Sequence, residues 1–325
     1  MSAGSVTCEL CFRQCTMRPG ERGNCRARYN LNGELVSLVY GKPCAVHVDP
    51  IEKKPLFHFL PGSRAFSIAT AGCNGHCVFC QNWEISQSNP EDVKSVDLPP
   101  AAVVEEAIAS SCRSVAYTYT DPNIFYEYTY DTAKIARSKG VKNVLVTAGF
   151  LNEKPLRELA RYADAANLDI KGDADFYRKY VKAELKPVQD YARIAKEEGI
   201  FLELTNLIVP TLNDSKSQLE WLVKWTLDNL GPDVPLHFSR FFPLYKLTNL
   251  YPTPEETLFD AANMAYDMGM RYVYVGNIPS DEFQNTHCPK CKDDVVIRHG
   301  YTQPLVKLVD GRCPKCGEKI PGVWR

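Results

Sequence analysis

The chain's 325 residues carry 38 Lys+Arg against 39 Asp+Glu, a formal charge of −1, which leaves no electrostatic case for a nucleic-acid or membrane-surface partner. That length suffices for one large domain with appendages. Eleven of the thirteen cysteines fall into three tight groups with C-x2-C or C-x3-C steps, a pattern of metal ligation in a reducing compartment rather than of extracellular disulfides. Met1-Ser2-Ala3-Gly4 opens no basic, apolar leader, and no apolar run approaches membrane-spanning length, so the expected location is cytoplasmic.

In chain order, the first group is Cys8-x2-Cys11-x3-Cys15-x9-Cys25, with turn chemistry at Pro19-Gly20 and Arg22-Gly23-Asn24. Four thiolates this close suit a tetrahedral structural zinc, and an auxiliary iron–sulfur cluster is the competitor. Cys44 and His47 lie near enough to replace a ligand. Alternating strand-like residues follow at 34–40, then a proline-punctuated loop from Asp49 to Gly62. That loop reads as a linker with solvated Lys53 and Lys54 and a packed His58, or as a segment delivering them to the next domain.

From residue 66 onward strand and helix patterns alternate. Strands are expected near 65–70, 114–119, 142–147, 165–170, 200–207, 235–239 and 271–275, with amphipathic helical patterns between them. The alternation implies parallel βαβ units, and hence an α/β partial barrel of about six strands with room for a seventh. Barrel chemistry sits at the C-terminal ends of the strands, which selects the candidate residues. The expected domains are a Cys-rich module and linker at 1–65, the barrel at 66–283 and a small metal module at 284–325.

The first barrel strand runs into Cys73-x3-Cys77-x2-Cys80. Three thiolates are one short of a closed four-iron cube, so a cluster held here keeps one iron open. The competing reading is three zinc ligands with His76 or a remote Cys as the fourth. The second strand ends in Thr120-Asp121-Pro122, where Asp121 also suits a helix cap. Thr147 and Asn152 follow the third strand, where a turn explains Asn152 equally well. The fourth ends in Asp169-Ile170-Lys171, two charges on one side at period two. Thr205 and Asn206 on the fifth strand, and Asn277 after the seventh, are further ligand contacts, while Asn213-Asp214 reads as a helix cap. His237 and Arg240 lie near the end of the sixth, as catalytic candidates or as satisfied core residues. The last cysteines, Cys288-Pro-Lys-Cys291 and Cys313-Pro-Lys-Cys316, form two C-P-x-C knuckles on a strand-rich insert, a closed four-thiolate zinc ribbon. A module this small needs its metal to fold.

Cys73-x3-Cys77-x-Phe79-Cys80 resembles the signature of the radical S-adenosylmethionine (radical SAM) superfamily, with Phe79 at the aromatic position. The resemblance implies a [4Fe–4S] cluster whose open iron chelates the SAM methionine, and one-electron cleavage to a 5′-deoxyadenosyl radical. It implies that backbone near Phe79 contacts the adenine and that Asp121 and Asp169 bind the polar parts of SAM. The stretch Asp169-Ile170-Lys171 is similar to an Asp-Leu-Lys segment of glycyl-radical-enzyme activases, in which both charged residues line the SAM site. The sequence departs from the superfamily at Thr118 to Pro122, where a Gly-Gly-Glu-Pro segment is usual. Over nearly its full length the chain resembles the radical SAM member of the AmmeMemoRadiSam system. This implies an electron donor of the ferredoxin or flavodoxin type and Memo-like and AMMECR-type pathway partners. The substrate stays open between a protein glycine and a small molecule. A cysteine-rich metal-binding adaptor on a barrel scaffold is the non-enzymatic alternative.

Overall fold

The computed structural model describes residues 4–278 and 281–325. Two antiparallel hairpins open the chain: β1 (Val6–Thr7) with β2 (Thr16–Met17), then β3 (Arg28–Leu31) with β4 (Glu34–Ser37). β5 (Ala45–Pro50) runs antiparallel to β6 (Arg64–Ala69), so the main sheet begins inside the stretch expected to be linker. The short α1 (Trp83–Ser86) follows the cysteine loop. After it come α2 (Pro100–Ala109), β7 (Ser114–Tyr117), α3 (Tyr126–Ser138), β8 (Lys142–Thr147), α4 (Glu153–Ala160) and β9 (Ala165–Asp169). The second half of the barrel adds α5 (Ala174–Phe176), α6 (Leu185–Glu197), β10 (Phe201–Ile208), α7 (Lys216–Leu230), β11 (Leu236–Arg240), α8 (Glu255–Asp267) and β12 (Val273–Gly276).

One eight-stranded sheet runs β12-β11-β10-β9-β8-β7-β6-β5, and every pairing from β6 to β12 is parallel. All seven expected strands are present, and among the described residues no pairing joins β12 back to β5. The barrel is therefore partial. Its strands are buried on both faces, as parallel strands covered by helices must be. Local signals place the helices: Pro100 opens α2, and the Ser215 side chain accepts from Gln218 N to start α7. Ser215 rather than Asn213-Asp214 is that cap. Asn213 instead accepts from Val209 N and donates to the Lys171 and Leu207 carbonyls, which fixes the loops beyond β9 and β10.

In the Asp49–Gly62 segment Lys53 is solvated and His58 packed as expected, but Lys54 is buried on Asp49, and the segment plugs the barrel instead of reaching its mouth. Leu56, Phe59 and Leu60 are buried in one cluster with Ala65, Ala116 and Ala165, whose small side chains leave them room. Below the plug sits the C-terminal module of β13 (Thr286–His287), β14 (Asp294–Ile297) and β15 (Leu305–Val306). Phe57, Tyr272 and Tyr274 share a core with Cys288, Val295 and Ile320, and Val323 exchanges backbone hydrogen bonds with His58 and Leu60. No helix among the described residues is long and apolar enough to cross a membrane.

Candidate active site at the mouth of the barrel

The cysteine loop leaves the C-terminal end of β6 and is held by its backbone. His76 N and Val78 N donate to Val181 O and Tyr180 O, and Lys246 N donates to Val78 O. Phe79 is buried and packs on Phe176, with ring centroids 5.6 Å apart. Gly72 has φ +96°, and a Cβ there would meet Cys25 O at 2.3 Å. Only glycine permits that approach. A Cβ on Gly75 would stand 3.9 Å from both the Cys73 and Cys77 sulfurs, so a side chain there would intrude between the two thiols. His76 is taken up elsewhere, with Nδ1 2.8 Å from Gln87 Oε1 and Nε2 2.7 Å from Asn24 Oδ1.

Opposite the thiols stand the charges carried by β7 and β9. Lys171 Nζ donates to Asp169 Oδ2 at 2.7 Å and lies within electrostatic reach of Cys77 and Asp121. Burial by itself would lower the Lys171 ammonium, but Asp169 and Cys77 outweigh it and hold the group above its usual range. The reciprocal effect acts on the thiols. Burial, then Asp121, drives Cys73 far up, while Cys77 is pushed up by burial to about 12 and opposed by Lys171. Thiols this reluctant to ionise in a protein-only environment need bound metal to become thiolates.

Asp121 is buried, and burial raises it to about 6 against the donors around it. It accepts from Asn123 N at 3.0 Å, from Ala148 N at 2.9 Å and from Thr147 Oγ1. It therefore closes a turn and ties β7 to β8, and does not cap α3, which begins five residues later at Tyr126. Thr120 Oγ1 donates to Thr70 O at 2.9 Å, fastening the same turn to the root of the cysteine loop. Asn152, by contrast, faces the N-terminal module: its N donates to Leu10 O and its Nδ2 to Glu9 O.

The remaining candidates disperse. Thr205 donates to Asn167 Oδ1, deeper in the barrel, and Asn206 on the opposite face of β10 donates to Ile170 O. The two do not share the mouth, because successive side chains of a strand alternate. Asn277, at φ +61°, donates to Ser239 Oγ at the exposed rim. Arg240 is on the helix side of β11, donating to Thr253 O at 2.8 Å and pairing with Glu255. His237 sits second along β11, and its Nε2 is 2.7 Å from Glu203 Oε2, both side chains buried. These contacts remove His237 and Arg240 from the mouth. Glu203, which sequence reasoning passed over, also accepts from Phe57 N and His58 N. A glutamate between two leucines inside a barrel strand was the available signal.

Several buried polar atoms near the mouth have no protein partner: Thr70 Oγ1, both amide atoms of Asn74, and Asn123 Nδ2. Buried polar groups are normally satisfied, so these orphans mark where a ligand supplies the missing bonds. Three thiols on one loop, two of them beside Gly75, with an ammonium in electrostatic reach and unpaired polar groups at the same end fit an iron–sulfur cluster with a polar cofactor. At the opposite end Cys288, Cys291, Cys313 and Cys316 converge with all four sulfurs within 4.8 Å of one another, the arrangement a single tetrahedral ion requires.

Residues 67–225 match the family model described as the radical SAM superfamily. The chain is 47% identical over 317 residues to an uncharacterized protein of Methanocaldococcus jannaschii, covering 97% of this chain and 95% of the relative. It is 24% identical over 166 residues to the pyruvate formate-lyase-activating enzyme of Clostridium pasteurianum, covering 50% of this chain and 68% of the relative. Among solved structures, a radical SAM methyltransferase from Sphaerobacter thermophilus aligns at TM-score 0.53 and 13% identity, covering 67% of each chain. SuiB of Streptococcus suis aligns at TM-score 0.53 and 12% identity, covering 70% of this chain and 52% of its own. The structural likenesses speak for the fold alone, and the family match carries the assignment of its own segment: residues 67–225, just under half of the chain, form a radical SAM superfamily domain.

Proposed function

We propose that this protein is an enzyme that cleaves S-adenosylmethionine reductively and uses the product to abstract hydrogen from a substrate at the barrel mouth. The observation that carries the reading is the Lys171–Asp169 pair, joined at 2.7 Å and within electrostatic reach of Cys77 in the three-cysteine loop. Cys73, Cys77 and Cys80 would hold a [4Fe–4S] cluster, which would supply the one-electron reduction of bound SAM. The residues of the chain do the rest. Lys171 offsets the negative charge gathered on the thiolates and orients Asp169, which stands a third exposed and ready to accept from the ribose or amino group of SAM. Asp121 and Thr120 fix the turn that shapes the other wall, and the backbone near Phe79, whose ring is buried against Phe176, would contact the adenine. The plug and the packed interior of the strands exclude water from below.

The four C-terminal cysteines would carry structural zinc. A low-potential donor of the ferredoxin or flavodoxin type would supply the electron, and the location would be cytoplasmic. Resemblance to the AmmeMemoRadiSam system points to Memo-like and AMMECR-type proteins in the same pathway. A glycyl-radical-enzyme activase acting on a protein glycine is a second reading, favoured by the likeness to the Clostridium pasteurianum enzyme.

The test is anaerobic reconstitution followed by mass spectrometry of the nucleoside products. Wild-type protein with a strong reductant should yield 5′-deoxyadenosine, and Cys73→Ala, Cys77→Ala and Cys80→Ala should each yield none. Sustained 5′-deoxyadenosine from any of these variants would remove the cluster from this loop. Deuterium carried from a labelled candidate into 5′-deoxyadenosine would then identify the substrate class.

A further inference from the structure

The molecule contains three cysteine groups, and two of them calibrate the third. The C-terminal four behave as a single-ion site. With Zn–S near about 2.3 Å, a tetrahedron sets its sulfurs roughly 3.8 Å apart. Cys288 and Cys316 lie 3.5 Å apart, and Cys291 and Cys313 3.6 Å apart. Each C-P-K-C turn is a matching knuckle: Lys292 N donates to Cys288 O, and Gly317 N to Cys313 O. The loop of Cys73, Cys77 and Cys80 behaves differently. Each sulfur of a cube binds its own iron, so the thiolates stand farther apart than around one ion.

Cys8, Cys11, Cys15 and Cys25 follow the second pattern. Cys8 lies within electrostatic reach of Cys15 and Cys25, and Cys11 of Cys8 and Cys25, so the four form one group. Among the described residues, however, the C-terminal four are the one set of three or more His, Cys, Asp or Glu ligand atoms that all fall within 4.8 Å of one another. The backbone differs as well. Cys8 N donates to Cys15 O, continuing the ladder that joins β1 to β2, with Gln14 N donating to Cys11 O inside the loop. That i+3 turn has its counterpart in Cys80 N donating to Cys77 O, and neither loop repeats the ribbon's knuckle.

This group is also pressed against the Cys73–Cys80 loop. Cys25 O fills the space that a Gly72 side chain would occupy. Arg13 Nε donates to Asn74 O at 2.7 Å and Arg13 Nη2 to Lys182 O at 2.5 Å, while Phe12 packs on Phe150 at 5.1 Å. Between the two groups lies Asn74, 1% exposed, whose side chain reaches the Cys11 sulfur and finds no nitrogen or oxygen partner in the protein. A buried amide N–H needs an acceptor, and a metal-bound Cys11 thiolate or a cluster sulfide supplies one for Asn74 Nδ2.

From these observations we infer that Cys8, Cys11, Cys15 and Cys25 hold a second, fully ligated iron–sulfur cluster beside the SAM-cleaving one, and not zinc. Four thiolates close its coordination, so it has no site for SAM. The inference rests on the assignment of Cys73, Cys77 and Cys80 for its neighbour, but the two fail separately. The experiment uses full-length protein purified anaerobically, with iron, acid-labile sulfide and zinc counted per chain in wild type and in Cys73→Ala/Cys77→Ala/Cys80→Ala. The expected result is one zinc in both, with the variant losing about half to two-thirds of the iron and keeping the remainder with its sulfide. Two zinc per chain and an iron-free variant would overturn the second cluster. Unchanged iron in the variant would instead remove the first. Wild-type protein gives an independent reading that needs no variant: two adjacent reduced clusters broaden each other's paramagnetic resonance. A single unbroadened signal from fully reduced protein containing one cube's worth of iron also overturns the inference.

Discussion

The two ends of the barrel bury charge in opposite ways. At the base, Glu203 receives three donors, and both ring nitrogens of His58 are partnered, by Pro321 O and by the Tyr274 hydroxyl, each at 2.6 Å. That network joins β10, β11 and β12 to the plug and to the ribbon below it. At the mouth, the Lys171–Asp169 pair is a third exposed on its acidic side, and polar atoms of Thr70, Asn74 and Asn123 go unpaired. A buried charge therefore does not by itself announce chemistry. A satisfied network fixes geometry, whereas unpaired polar groups beside a charge mark a place for a ligand. The physical difference predicts that substitutions at the base change stability and those at the mouth change cofactor binding.

The largest effect is expected from Glu203→Ala. It leaves two backbone N–H groups and His237 buried without an acceptor, at a cost of about 3–5 kcal/mol. Thermal unfolding should begin roughly 10 °C lower, and a midpoint within about 2 °C of wild type would remove the network's structural role. Next comes pH. Burial lowers the His58 imidazole to about 4, so it stays neutral in the fold while the unfolded chain titrates near about 6.5. Its contribution is complete above about pH 6.5 and is lost as pH falls toward about 4, some ~3 kcal/mol over that window. In His58→Asn the fall in unfolding midpoint across this window should flatten; an unaltered slope would assign the acid sensitivity to another group.

At the mouth, Asp169→Asn keeps an acceptor for Lys171 but removes the charge. SAM affinity of the reconstituted enzyme should drop about 10-fold with the unfolding midpoint unmoved, and a parallel loss of both would place Asp169 with the structural residues. The smallest effect belongs to Arg240→Lys. Its partly exposed pairing with Glu255 contributes about 0.5–1 kcal/mol, so SAM cleavage should stay within about threefold of wild type. A hundred-fold loss in 5′-deoxyadenosine formation would return Arg240 to the catalytic set.

Much of this was legible in the chain because the signals are local. Strand and helix periods located all seven parallel strands, and the cysteine spacings separated three groups without any tertiary information. Side-chain direction was the less legible part. His237 and Arg240 were judged by nearness to a strand's end, yet a strand turns successive side chains to opposite faces, and Glu203 and Glu255 claim them on those faces. Thr205 and Asn206 divided for the same reason. The Asp49–Gly62 segment read as a linker because its prolines and lysines describe a loop, and nothing local says that a loop lies inside a barrel.

The sequence by itself determined the alternation that builds the barrel, the three-thiol loop with its glycines, and the paired C-P-K-C knuckles, because each depends on residues close together along the chain. Only the tertiary structure decided that the N-terminal cysteines lie against the Cys73–Cys80 loop through Gly72 and Asn74, and that Glu203 answers three donors from distant segments. Those relations join residues up to 146 positions apart. Such contacts are fixed by how small alanines, a packed plug and a staggered sheet fill one interior, and no local pattern encodes that.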